Sequence, residues 1–552
     1  MRVSGCVRTH RKELLPFVVS LALIAIAARG QVVGDIPEGG PPIEIRVHAN
    51  AQRTAPISNT IFGSFLEPIG HSTYGGLWAE LLENPSFEPG LWTASNAAQM
   101  LRERPELARA TELDLPLPWE PLDSHQGNRY EPHRVDAANS LQSVLLLGLP
   151  HREVGVRQRI YLPVHRELRF AGSIWAKHLS GPAKLDISLR ERNHPAHVLA
   201  RAAVAADNAE WTRYAFTLEL QRGEVQPLEP VDFVIAVEDD ARVFIDQVSL
   251  MPADNLDGLD PDVVAMAREL QTPLVRFGGN FTSAYHWRDG IGPRDKRVSM
   301  LNLSWGIPEY DTFGTDEFLH FCELIHAQPQ IALNLGTGTA KEASEWVRYV
   351  NQHWGDRRGG LLWEMGNELW GDWNVGYPPL EQIAARTVEF SRAIRQADPA
   401  ARLIATGQDE DVFREWNAQQ LSTPPDTFNY LSTHFVVTTN KVELQHPSGD
   451  FVALSMLALP VGIEGRLHEM TQQIQQSSHK DAKIAFTEWL YVADEGRSGV
   501  RHAPVFTNLA GGLCTAGFLN MLMRNADTVP ISDMTGILEF AGIWKRREQV
   551  YG

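Results

Sequence analysis

Eight short apolar runs recur along the chain, at 60–68, 273–280, 329–336, 361–368, 401–407, 429–437, 483–490 and 528–536, each followed by a loop. Segments of helical periodicity separate most of them, for example 315–327, 380–397 and 462–478. Alternation of strand and helix implies a parallel sheet with right-handed crossovers, and eight such strands point to a closed (β/α)8 barrel. The competing arrangement, an open doubly wound sheet, carries a glycine-rich phosphate loop. The stretch "GTGTAKE" after the third run lacks the spacing that loop needs. The expected fold class is therefore α/β, a TIM barrel.

One interval breaks the rhythm. Roughly 200 residues separate the first and second runs, far more than a strand-to-helix loop spans. Within it, 118–250 reads as all-β: "LRFAGSIWAK", "AKLDISLRER", "WTRYAFTLEL", "VDFVIAVEDD" and "ARVFIDQVSL" alternate apolar and polar residues between turns. The expectation is an inserted, jelly-roll-like β-sandwich. The first barrel strand and its loop occupy 59–90, "MPADNLDGLDPD" is the return linker, and 260–552 holds the rest of the barrel. Trp175 and Trp211 lie on sandwich strands and are expected in its core rather than as a binding platform. A β-like piece at 43–58 precedes the barrel and needs a partner for its edge.

Arg2, Arg8, Arg11 and Lys12 stand ahead of an apolar run, Leu14 to Ala28, that ends in small residues, the three-part pattern of a secretory signal peptide over 1–28. The run is short for a membrane span, which needs about 20 residues, and no later segment reads as apolar enough to cross a bilayer. The mature protein is thus expected outside the cytoplasm, secreted or periplasmic, with no membrane association. Four bases and one acid leave with the leader, so the net charge of −18 becomes −21. Such a chain repels phosphate backbones and anionic lipid, which argues against nucleic acid as a partner and leaves neutral ligands open. Cys6 lies in the leader. Cys322 and Cys514 make no disulfide framework, and no Cys or His spacing forms a zinc site, so neither a metal nor another cofactor is expected.

Barrel chemistry sits where the strands end. Two runs end in glutamate: "LLWEMGNE" in Glu368 and "KIAFTEWL" just past Glu488. They close strands four and seven, so their side chains would meet across one mouth. Paired carboxyls across a mouth suit glycoside hydrolysis, in which one protonates the leaving oxygen while the other attacks the anomeric carbon or activates water. Asn367, beside the first acid, is placed to bond a sugar hydroxyl next to the reacting carbon. Trp370, Trp373 and Trp489 offer aromatic faces for a sugar ring, or serve as core and lid packing.

These residues carry a resemblance. A "GNE" closing strand four and a Glu closing strand seven resemble the large clan of retaining barrel glycosidases. More specifically, 61–88, 274–297, 363–371 and 484–490 resemble family 51 of the glycoside hydrolases, the α-L-arabinofuranosidases, and the inserted sandwich resembles the carbohydrate-binding-type domain in one branch of it. The resemblance implies double displacement with retention, with Glu488 as nucleophile and Glu368 as general acid and then base. It also implies that Glu67, Asn280 and Asn367 bind furanose hydroxyls, and that Glu368 has a raised pKa. Asn280 also opens an Asn-Phe-Thr sequon, for which sugar contact is the preferred reading. Arg276 could grip a carboxylate in two-pronged fashion or form a purely structural pair. His434 is either a partner of a catalytic carboxylate or a satisfied inner-face histidine.

The chain departs from the family at Phe277 (usually Pro), at Phe435 after His434 (usually Tyr) and at Gly536 after strand eight (Gln in one branch). The family also ends in a helix and a C-terminal β-sandwich, so a chain reaching Gly552 just past strand eight is expected to be truncated ahead of them. The expected function is secreted, exo-acting release of terminal α-L-arabinofuranosyl residues from plant cell-wall polysaccharide. A retaining glycosidase for a β-xyloside or β-glucan, and a non-catalytic carbohydrate-binding protein, are the alternatives.

Overall fold

The computed structural model describes residues 56–122, 130–354, 361–408, 414–437, 449–491 and 508–552. The leader and the stretch 43–55 of the N-terminal β segment lie outside them. Eight parallel strands close into a barrel: Gly63–Leu66, Leu274–Phe277, Gln328–Leu333, Leu362–Met365, Arg402–Ala405, Tyr430–Val437, Lys483–Tyr491 and Ile531–Thr535. Each pairs with the next in sequence. The ring shuts where Phe65 stands opposite both Arg276 and Thr535. All eight apolar runs read from the sequence are barrel strands.

Period-two alternation divides each strand between two environments. Val275, Phe277, Trp363 and Met365 face the helix layer and join one large apolar core. Leu274, Leu362, Ile404, Ala485 and Ile531 face inward and form a small separate cluster that plugs the barrel floor. Two residues further along the same strands, the inward positions turn polar: Arg276, Glu364 and Asp533, joined by Gln330 of strand three, are all fully buried. The barrel is thus oil at the bottom and charge in the middle, and the middle layer supports whatever sits at the mouth.

Between barrel strands one and two, two five-stranded antiparallel sheets face each other over their own apolar core. One holds Glu120–Pro121, Val154–Ile160, Val231–Val237, Lys184–Glu191 and Val198–Ala205; the other holds Tyr130–His133, Ser143–Leu147, Arg242–Pro252, Arg169–Ser180 and Thr212–Glu219. Trp175 and Trp211 are in neither core. Trp175 sits on the outward face of its strand, where barrel-loop Lys296 lies 3.6 Å from the ring centroid and Asp295 accepts its indole N–H at 3.0 Å. Trp211 donates to Asp136 at 2.8 Å. The alternation that buries Ile174 turns Trp175 toward the barrel, so it serves in the seam between the two layers.

A buried carboxylate clamps this seam. Asp260 caps the helix Pro261–Glu269 by accepting from the N–H groups of Asp262 and Val263. Its other oxygen receives Arg166, from the sandwich side, at 2.9 Å and Lys545, from the hairpin after strand eight, at 3.0 Å.

The helix Gly449–Gln475 is longer than the segment read from the sequence, which began after Pro460. Its stretch Phe451–Gln475 reaches a mean hydropathy of 1.2, long and apolar enough by length and composition to cross a membrane, contrary to the sequence expectation. Val452, Met456, Ile463, Leu467, Met470 and Ile474 are buried in the barrel core, whereas Phe451, Leu454, Leu457 and Val461 are exposed.

Removing the clamp has a defined cost. Asp260→Ala deletes a cap and a buried partner of two cations, each of which keeps a second acid, so a loss of about 3 kcal/mol is expected, the low end for breaking a buried pair. Urea unfolding measures it; a loss under about 1 kcal/mol would mean that the remaining acids take over the pairing.

Candidate active site

The mouth is built on the buried arginine of strand two. Arg276 donates to Glu364 through Nε at 2.5 Å and through one terminal nitrogen at 3.2 Å. The same terminal nitrogen donates to Asn367 Oδ1 at 2.7 Å, and Asn367 in turn donates to Asn280 Oδ1 at 3.0 Å. The two-pronged reading of Arg276 therefore holds, with Glu364 rather than a catalytic acid as its main partner. Its other terminal nitrogen stands 3.6 Å from Glu488.

Beyond strand four the chain turns sharply through Gly366, and Glu368 adopts a positive φ of 43°. A non-glycine residue in that region costs roughly 1–2 kcal/mol. The turn is held by its carbonyl, which accepts from Gly371 N–H at 2.8 Å and Asn374 Nδ2 at 2.9 Å. The strain is spent aiming the carboxylate back over the mouth. There Oε1 meets His434 Nδ1 at 3.0 Å and Oε2 accepts from Trp373 Nε1 at 2.9 Å.

Glu488 reaches the same place by a different device. Thr433 pairs with Phe486, but His434 pairs with Glu488, so strand seven carries one extra residue, Thr487. This β-bulge lets consecutive residues face the interior, which plain alternation forbids. Thr487 points into the charged layer, Glu488 stands 3.7 Å from His434 Nδ1, and Trp489 is thrown outward. Trp489 is buried, stacks on Phe518 with centroids 4.5 Å apart and donates to Ser532, so it cannot meet a sugar. That corrects the sequence expectation. Trp373, named with it from the sequence, is more than half exposed and bonded to Glu368. Trp370 is half-buried beside it, its N–H given to Gly407 O at 3.2 Å.

Glu67, just past strand one, completes the ring. Its carboxylate accepts from Trp305 Nε1 at 2.8 Å and Phe281 N at 3.3 Å. Gly279 is required beneath it: φ is 110°, and a Cβ there would fall 2.2 Å from Glu67 Cδ. Trp305 was not singled out in the sequence, because it lies on a loop with no strand-end signal.

Glu368 is not raised as the resemblance implied. Burial works to raise Glu368, but the hydrogen bond and charge of His434, with help from Trp373, hold it below the ordinary value instead of above it. Burial likewise opposes the charged form of His434, yet its bond to Glu368 and the charges of Glu488 and Glu368 raise its pKa. Glu488 is raised, by burial first and then by Glu368, with His434 and Arg276 pulling the other way. One oxygen of each acid and one imidazole nitrogen lie within 4.8 Å of one another, a spacing that a cation could also bridge. A cavity of about 1280 Å³ runs between the sandwich and the loop Pro68–Gly75 but does not include Glu368 or Glu488 among its walls.

Burial, and then the charge of Glu488, push Glu67 up to about 8. A carboxyl that holds its proton more tightly when folded loses stability for the fold as pH rises from 4.5 to about 8. Glu67→Gln removes that penalty, so its melting temperature is expected to gain on the unsubstituted protein across this window. A difference that is flat with pH would mean an ordinary Glu67.

Residues 266–446 match the family described as the alpha-L-arabinofuranosidase 1 domain. Alpha-L-arabinofuranosidase C of Emericella nidulans is 31% identical over 307 residues, covering 50% of this chain and 59% of the relative. The probable enzyme of that name from Aspergillus flavus is 38% identical over 297 residues, with the same coverage. An intracellular exo-alpha-(1->5)-L-arabinofuranosidase of Streptomyces lividans is 32% identical over 262 residues, covering 43% and 38%. The chain thus spans less than two thirds of the curated relatives it matches. An arabinose-bound family 51 α-L-arabinofuranosidase structure superposes with a TM-score of 0.67 at 17% identity, over 91% of this chain and 79% of that one, a likeness of fold. The barrel, its inserted sandwich and these matches together make the chain similar to the α-L-arabinofuranosidases.

Proposed function

We propose that the protein is a retaining, exo-acting α-L-arabinofuranosidase that releases terminal non-reducing residues from hemicellulose or pectic polysaccharides and oligosaccharides. The observation that carries the reading is the convergence of Glu368 and Glu488 on His434, with oxygens within 4.8 Å. Retaining enzymes hold their two carboxyls about 5–5.5 Å apart, whereas inverting ones leave about 6.5–9.5 Å for a water. Secretion is part of the proposal and rests on the leader pattern at 1–28; the Streptomyces relative is intracellular.

In this reading Glu488 attacks the anomeric carbon, and the bond to the leaving oxygen breaks as that oxygen takes a proton from Glu368. Glu368, now a carboxylate, removes a proton from water. The water oxygen then displaces Glu488 from the ester, giving net retention. Arg276 and His434 keep the Glu488 charge available before attack. Asn280, Asn367 and Glu67 present polar groups around the furanose, and Trp373 flanks the acid.

The test uses aryl α-L-arabinofuranoside, β-xyloside and β-glucoside. Hydrolysis of the arabinofuranoside is expected, with Glu368→Ala reducing turnover by about 10²–10⁴-fold on poor leaving groups. Azide should rescue Glu368→Ala to a glycosyl azide of retained configuration and Glu488→Ala to one of inverted configuration. The opposite pairing would exchange the two roles. Activity on a pyranoside alone would sink the sugar assignment. No activity in well-folded protein would leave carbohydrate binding as the function.

A further inference from the structure

The hydrogen bonds beneath the two acids leave a question that the glycosidase reading does not answer. An acid catalyst must carry a proton, yet Glu368 is held below the ordinary carboxyl range and His434 above the ordinary imidazole range. The location of the missing proton follows from the donors and acceptors below.

Glu364 lies at the base of the network. It is fully buried, gripped by Arg276, and receives Gln330 Nε2 at 3.4 Å. Thr487 Oγ1 stands 2.9 Å from Glu364 Oε1. An ionised carboxylate only accepts, so the single hydroxyl hydrogen of Thr487 goes to Glu364. The hydroxyl oxygen then has only acceptor capacity left for His434 Nε2, 2.8 Å away. That contact is a hydrogen bond only if Nε2 carries hydrogen. With Nε2–H fixed, the variable proton of the ring is on Nδ1, the nitrogen that faces Glu368 Oε1 at 3.0 Å. Among the described residues, the charged groups facing the ring are Glu368, Glu488 at 3.7 Å, Glu364 at 4.0 Å and Arg276. Three acids against one guanidinium favour an imidazolium.

We infer that Thr487 is a positioning residue that pins His434 in its Nε2–H form, so that His434 Nδ1 stores the proton Glu368 delivers to the leaving group. The inference rests on the roles proposed for Glu368 and Glu488. The proton passes from Nδ1 to Glu368, leaving neutral His434 and a protonated carboxyl. The carboxyl gives it to the leaving oxygen. When Glu368 later removes a proton from water, that proton returns to Nδ1 and the cycle closes. The β-bulge at 487 acquires a purpose here: it turns both the nucleophile and the pinning hydroxyl inward.

Thr487→Val keeps the shape and removes the hydroxyl. It is expected to cost at least about ten times more turnover on a poor leaving group than on a nitrophenyl leaving group, because only the former depends on the acid. KM should change little. Losing the acceptor for Nε2–H weakens the imidazolium, so the basic limb of the kcat–pH profile should move to lower pH. Thr487→Ser should restore both behaviours. Equal losses on both leaving groups, or an unchanged pH profile, would overturn the inference and leave Thr487 a structural residue.

A second measurement needs no substrate. In protein labelled with ¹⁵N-histidine, the ring signals absent from His434→Gln report the tautomer. Above its pKa the unsubstituted protein should show Nε2–H, and Thr487→Val a mixture. A neutral Nδ1–H form in the unsubstituted protein would overturn the pinning outright. A pinned tautomer in a protein that hydrolyses no glycoside would instead refute the catalytic reading and the proton store built on it.

Discussion

A guanidinium with no access to water holds the mouth of this barrel in place. Arg276 is fully buried, and so is Glu364, its main partner. A lone charge at that depth would be prohibitively costly, and the pair is tolerable because Glu364 and Asn367 engage the guanidinium directly. Those engagements are what the rest of the site hangs from. The arginine fixes Asn367, which fixes Asn280; Glu364 fixes Thr487, which fixes His434, which meets both catalytic candidates. Only the inward face of the strands could carry such a network, and the apolar floor beneath it keeps water from entering from below.

Much of this was legible in the sequence because it follows periodicity. The eight runs, their order and the long insertion follow from alternation and spacing, and the two terminal glutamates follow from where runs stop. What alternation cannot express is its own interruption. The extra residue in strand seven is unmarked: Thr487 is an ordinary β-branched strand residue, and nothing local says that it and Glu488 share a face. Trp489 was misplaced for the same reason, since plain alternation from inward-facing Ala485 would carry Trp489 to the interior and the bulge instead puts Glu488 there.

The reversed titration of Glu368 has a different origin. Reading two nearby carboxylates as mutual repulsion predicts a raised acid, and that argument omits whatever third group stands between them. His434 is 66 residues further along the chain and two strands further around the ring. Its effect is a product of closure of the ring, and no window of sequence contains it. Trp305 belongs to the same class, a loop residue brought to Glu67 by the fold, whereas Trp373 lies only five residues from Glu368.

The clamp at Asp260 bears on how the protein is made. Asp260 follows Arg166 by 94 residues, and the sandwich between the first two barrel strands has a core of its own before the rest of the barrel emerges. Lys545 arrives 285 residues later. At ribosomal rates of about 5–20 residues per second, that is an interval of tens of seconds in which the sandwich is foldable but its seam lacks the lysine. Strand eight and the Lys545 hairpin enter nearly together, so closing the ring and completing the seam become one event. An insertion that interrupts the barrel in sequence is thereby finished by the same residues that finish the barrel.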